Sequence, residues 1–127
     1  MGRARGLVCA SAILCLVSLT VCPAIARERI PTDISMHNFI GGAEGFEGEV
    51  FSDPGCVRNR VVKLKYDAPP GYRDQSRTNR TNSDGEWRIE FKGHKPNPGE
   101  YQAIAKKKEL SRDFCKQGRS KTIDIHV

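Results

Sequence analysis

The sequence predicts an all-β protein, an antiparallel β-sandwich of six or seven short strands. Three observations predict it. Apolar residues recur at every second position in short runs, the spacing that lines one face of a strand. Turn formers such as Asp53-Pro54-Gly55, Pro69-Pro70-Gly71, Asp84-Gly85 and Pro98-Gly99 fall between those runs. Beyond residue 26, no stretch carries the apolar period of a helix long enough to form a layer.

The front of the chain stands apart from this pattern. Arg3 and Arg5 precede an apolar run over residues 7–21, and Ala24-Ile25-Ala26 closes the segment before Arg27. A basic start, an apolar centre and a small-x-small end are the three regions of a secretory signal peptide, assigned here to residues 1–26. The apolar run is shorter than the roughly 20 residues that span a bilayer, and Pro23 stops it. A lipid anchor at Cys22 is disfavoured by the bulky Val21 before it. Cleavage leaves 101 residues, one domain, expected outside the cell or in the cell envelope with no stable membrane insertion.

Cleavage also changes the cysteine count. Cys9, Cys15 and Cys22 leave with the signal, and the remaining pair, Cys56 and Cys115, predicts one disulfide in an oxidising compartment. Without Arg3 and Arg5 the chain holds 19 Lys and Arg against 15 Asp and Glu, a net charge of +4. That mild, interspersed charge and the lack of a basic aromatic strand face argue against nucleic acid.

The elements follow in order. Residues 27–44 show no turn-bounded alternation and read as an extended leader, loosely held apart from one short packed piece among Ile34, Met36, Phe39 and Ile40. The sandwich domain spans 45–127. Phe46, Gly48 and Val50 share one face of a first strand that ends at Asp53-Pro54-Gly55, with Cys56 just beyond it. Val62, Leu64 and Tyr66 point inward from a second strand, with Lys63 and Lys65 outward. Residues 67–72 form a loop, because successive prolines remove ladder donors. Residues 73–82 have no apolar face and suit an edge strand.

Trp87, Ile89 and Phe91 then alternate with Arg88 and Glu90, and Tyr101, Ala103 and Ala105 repeat the pattern after Pro98-Gly99. The two runs read as a β-hairpin following the tight turn at Asp84-Gly85, where the Asp84 side chain would accept backbone donors and Gly85 would take a positive φ. Residues 106–118 read as a loop with at most a helical turn, clamped by Cys115. Ile123, Ile125 and Val127 face inward from a last strand.

These positions resemble the carboxypeptidase regulatory-like, or transthyretin-like, β-sandwich superfamily of the wider immunoglobulin-like (prealbumin-like) architecture. The resemblance rests on Gly48-Glu49-Val50, Arg60-Val61-Val62-Lys63-Leu64, Asn82-Ser83-Asp84-Gly85-Glu86-Trp87 and Pro98-Gly99-Glu100-Tyr101. Cys56-Val57-x-x-Arg60 with a late Cys115 and Ser120-x-Thr122-Ile123 is similar to a group of small secreted bacterial proteins of unassigned function. The resemblance implies a fold and an accessory role. It implies no activity, since the residue sets of the family's hydrolases and hormone carriers have no match in this chain.

The chemistry points the same way. His37, His94 and His126 lack metal-ligand spacing and lie in different elements, so no metal or other cofactor is expected. Both remaining cysteines are committed to the bridge, and no Gly-x-Ser-x-Gly sequence is present. The expected function is that of a non-catalytic module with a structural or protein-interaction role. The alternative is a binder of anionic polymer or carbohydrate through a basic loop, residues 106–121, carrying Lys106, Lys107, Lys108, Arg112, Lys116, Arg119 and Lys121. For carbohydrate, Tyr72 and Phe51 are the available aromatic platforms, Tyr72 reading first as packing over a sandwich edge.

Overall fold

In a computed structural model, residues 26–41 and 43–126 are described. The signal-peptide expectation therefore lies, apart from Ala26, outside the described residues, as does the inward position expected of Val127. The elements run β1 (Arg29–Ile30), β2 (Asp33–Ile34), β3 (His37–Gly41), β4 (Ala43–Phe51), a helical turn α1 (Pro54–Val57), β5 (Val61–Asp67), β6 (Arg77–Arg80), β7 (Glu86–Phe91), β8 (Gly99–Ala105), β9 (Lys108–Glu109), β10 (Phe114–Cys115), β11 (Gly118–Arg119) and β12 (Ile123–Ile125). The chain is an all-β sandwich, as its alternation predicts. Among the described residues no helix is long and apolar enough to cross a membrane.

Two sheets carry the core. In one, β4 is central, with β2 and β3 end to end along one edge and β7 along the other, all antiparallel. In the second the order is β6-β5-β8, and β11 and β12 share the far edge of β8. A small third sheet, β1-β10-β9, with β1 parallel to β10, closes one end.

The inward residues are those the alternation selects: Phe46 and Val50, Val62, Leu64 and Tyr66, Trp87, Ile89 and Phe91, and Tyr101, Ala103 and Ala105 are all buried. Tyr101 is the hub, its ring centroid 4.6 Å from Tyr66, 4.7 Å from Phe46 and 6.0 Å from Phe91. Its hydroxyl lies 2.8 Å from the Asn97 carbonyl oxygen, and the Tyr66 hydroxyl donates to the Pro98 carbonyl at 2.6 Å, so both polar tips are satisfied inside the apolar layer. Each large side chain so buried contributes about 1.5–3 kcal/mol.

Four expectations are corrected. First, β7 and β8 do not form a hairpin. β7 pairs with β4 and β8 with β5, so residues 92–98 cross from one sheet to the other. Inward alternation is the same whether two strands share a sheet or face each other across a core, so periodicity does not distinguish the two.

Second, the leader is structural. Ile30 and Ile34 are each 7% exposed, β3 pairs with β4 over five residues, and between β2 and β3 the Ser35 amide donates to the Glu49 carbonyl at 2.9 Å. Third, residues 106–118 contain the antiparallel pair β9 and β10 and no helical turn; the one helical turn described is α1, which holds Cys56. Fourth, the turn acceptor is Asn82 rather than Asp84. Asn82 Oδ1 accepts from the Asp84 and Glu86 amides, both at 2.9 Å. Gly85 has the positive φ the turn requires, +87°, and a Cβ there would lie 2.7 Å from the Val50 carbonyl oxygen.

Candidate functional site

The end of the sandwich capped by the third sheet is built around a disulfide and one arginine. α1 delivers Cys56, the strand β10 delivers Cys115, and the two are bonded across 59 residues with their Cα atoms 5.7 Å apart. Ile30 and the half-buried Leu110 pack against the bridge. In the chain-entropy model, a loop of that length stabilises the fold by about 4 kcal/mol.

Arg60 lies next to it with no accessible surface, the only buried charged side chain among the described residues. Its Nε donates to the Lys106 carbonyl at 2.6 Å, its Nη1 to the Cys56 carbonyl at 2.8 Å and its Nη2 to the Lys116 carbonyl at 2.6 Å. One planar guanidinium thus fixes α1 and both ends of the β9-β10 pair, which suits arginine's rigid fork of donors. Burial pulls the group below its ordinary pKa, yet a guanidinium stays charged at any physiological pH. Thr81 completes the frame: its Oγ1 accepts from the Arg60 amide at 2.7 Å and donates to the Val57 carbonyl.

The frame carries the basic residues expected from the sequence but does not gather them into one patch. Lys107 is neutralised by Glu109, 3.2 Å away, which also pairs with Arg27. These hydrogen bonds, the one from Arg27 foremost, hold the Glu109 carboxyl below the usual carboxylate range. Both cations also lie over the Phe114 ring, Lys107 Nζ at 4.4 Å from its centroid and the Arg27 guanidinium carbon at 5.1 Å. Lys106, Arg112, Lys116 and Lys121 are exposed and make no ion pair among the described residues. Arg119 lies on β11, in the second sheet, reaching Gln102 Oε1 at 3.4 Å, and Lys121 follows it.

Lys108 differs from its neighbours. It is half-buried, its Nζ donates to the Arg58 carbonyl at 2.8 Å, and its pKa is lowered by burial first and then by the charges of Arg60, Arg58 and Arg80. Arg80 reaches the next carbonyl, that of Asn59, at 3.3 Å.

Sequence reasoning missed Arg60, Arg58 and Arg80 as members of this site. The signal for Arg60 was its phase: it stands two residues before Val62, in step with the inward set of β5. For the aromatic candidates, Trp87 is in the core, whereas Tyr72 is 44% and Phe51 49% exposed on separate elements. The histidines are dispersed, His37 against Glu47, His94 beside Phe91 and His126 near Asp124.

Comparison of the chain with protein-family models, with curated proteins and with solved structures returned no match. The class that fold and site define is a disulfide-stapled all-β sandwich with a basic end built on Cys56, Cys115 and Arg60.

Proposed function

We propose that the chain is an exported, non-catalytic β-sandwich module with a structural or protein-interaction role in the cell envelope or outside the cell. The observation that carries this reading is where the buried polar groups go. Arg60, Thr81, Ser120, Tyr66 and Tyr101 all direct their side chains to backbone partners. Groups spent in this way hold the frame, which leaves the exposed strand faces and loops to meet a partner. The disulfide supports an oxidising compartment. Kinship with the carboxypeptidase regulatory-like or transthyretin-like superfamily belongs to the same proposal and rests on the turn and strand motifs.

The test expresses the full chain in its own cells and follows it. The expected product begins at Arg27, contains one disulfide, leaves the cytoplasm and sediments in a complex larger than the chain alone. A reduced, uncleaved product in the cytoplasm, or an exported chain that stays monomeric in the presence of envelope and medium components, contradicts the reading.

A second reading, binding of an anionic polymer through residues 106–121, is favoured by Lys106, Arg112, Lys116 and Lys121, which make no ion pair among the described residues and stand on a pinned support. Replacing Lys106, Arg112 and Lys116 with Ala should then weaken retention on an anionic column far more than replacing Lys63 and Lys65. Equal losses would sink it.

A further inference from the structure

The corner between α1 and β5 holds an arrangement that the frame does not require. Arg58 and Asn59 offer two consecutive carbonyls, and each is capped by a cation from another element: Lys108 Nζ of β9 on the first at 2.8 Å, and Arg80 Nη1 of β6 on the second at 3.3 Å. Arg80 Nη1 also lies 3.4 Å from Asn59 Oδ1, and Asn59 holds a φ of +50°, a left-handed conformation that asparagine tolerates better than most residues. Arg58 and Arg80 are exposed, and Arg60 lies buried nearby. None of the four cations pairs with a carboxylate among the described residues.

Four cations, Arg80 on β6, Lys108 on β9 and Arg58 and Arg60 in the turn between α1 and β5, repel one another unless a counter-charge is supplied. At Lys108 burial, and after it the charges of Arg60, Arg58 and Arg80, disfavours the ammonium. Two of the three outward groups are already held by backbone carbonyls, so less side-chain freedom is lost when an anion arrives.

We propose that Arg58, Arg80 and Lys108 form a binding site for a phosphoryl group. A tetrahedral oxyanion presents several oxygens to two guanidinium forks and one ammonium, whereas a carboxylate presents two. The group would come either from free phosphate or from a phosphorylated polymer. This deepens the second reading above, resting on anion binding by this end of the molecule, and moves its centre from the β9-β10 pair to the corner, with Lys108 common to both.

The test titrates the isotopically labelled, purified chain with inorganic phosphate, linear polyphosphate and acetate at constant ionic strength, following amide shifts. Three chains are compared: the native one, R58Q/R80Q, and K106Q/K107Q/R112Q. Saturable shifts centred on Asn59, Arg60, Arg80 and Lys108 are expected with both phosphates and not with acetate. R58Q/R80Q should weaken binding at least about fivefold, since charge-assisted contacts are lost. The other variant should bind inorganic phosphate as the native chain does.

Polyphosphate binding more tightly than inorganic phosphate per phosphoryl group identifies a polymer ligand, and equal affinity identifies free phosphate. Non-saturable shifts, or equal response to acetate, overturn the site. Loss confined to K106Q/K107Q/R112Q overturns it while leaving the reading based on residues 106–121 standing. A thermal melt of R58Q/R80Q near that of the native chain separates lost binding from lost folding.

Discussion

A guanidinium with no accessible surface is tolerated at residue 60 because three carbonyls converge on it. Charged hydrogen bonds of this kind are worth about 1.5–3 kcal/mol each, and leaving their carbonyls buried and unpaired forfeits that and adds a desolvation cost. Arg60→Ala is therefore expected to cost about 3–5 kcal/mol in urea unfolding. Arg60→Lys should recover only a part of this, since an ammonium on a flexible stem does not reproduce three donors held in one plane. A loss below about 1 kcal/mol for Arg60→Ala would show that the three bonds do not hold this end together. The position of Arg60 was legible in the phase of β5, but a charged residue in the inward phase reads as an outward one until its partners are seen. Those partners are carbonyls 4, 46 and 56 residues away in the chain, and backbone acceptors leave no trace in a sequence.

Among the elements, the strands with a full apolar face were legible, as was the edge strand β6 within residues 73–82, whereas β1, β2, β3, β9 and β10 were not. β5, β7 and β8 each bury three or more side chains at alternate positions, and their alternation survives translation into structure. β1 and β2 bury one residue each, Ile30 and Ile34, with Pro31 and Thr32 between the strands, so no period of two appears. β3 is five residues of mostly intermediate or exposed character whose strand nature comes from pairing with β4. β9 and β10 are two residues each, too short to show any pattern. The pairing of β7 and β8 with separate sheets was equally hidden, for the reason given above. The structural role of residues 29–41 yields a direct prediction: Ile34→Ala should destabilise the fold by about 2–4 kcal/mol, the range for truncating a buried isoleucine. Ile40→Ala, at a side chain 75% exposed, should change stability by less than about 0.5 kcal/mol. Urea unfolding of the two variants decides it; equal effects would mean that β2 lies loosely on the domain.

For the whole molecule, the sandwich class, the disulfide partners and most of the core were legible because each follows from a pattern repeated many times or from compartment and count. The basic end was half legible: its charges could be counted, but their division into neutralised, exposed and clustered groups depends on Glu109, Phe114 and the Arg58-Asn59 carbonyls, which only the fold assembles. The picture that results is a closed aromatic core with a rigid, stapled end that carries exposed cations. Its rigidity rests on Cys56 and Cys115 closing 59 residues. A contribution of about 4 kcal/mol in a domain of this size corresponds to a fall in Tm on the order of 20 °C when the bridge is opened. Thermal unfolding of the purified chain with and without reductant measures this directly. A fall of more than about 10 °C in reductant is the predicted result. The same Tm under both conditions, with two free thiols in the untreated protein, would contradict it.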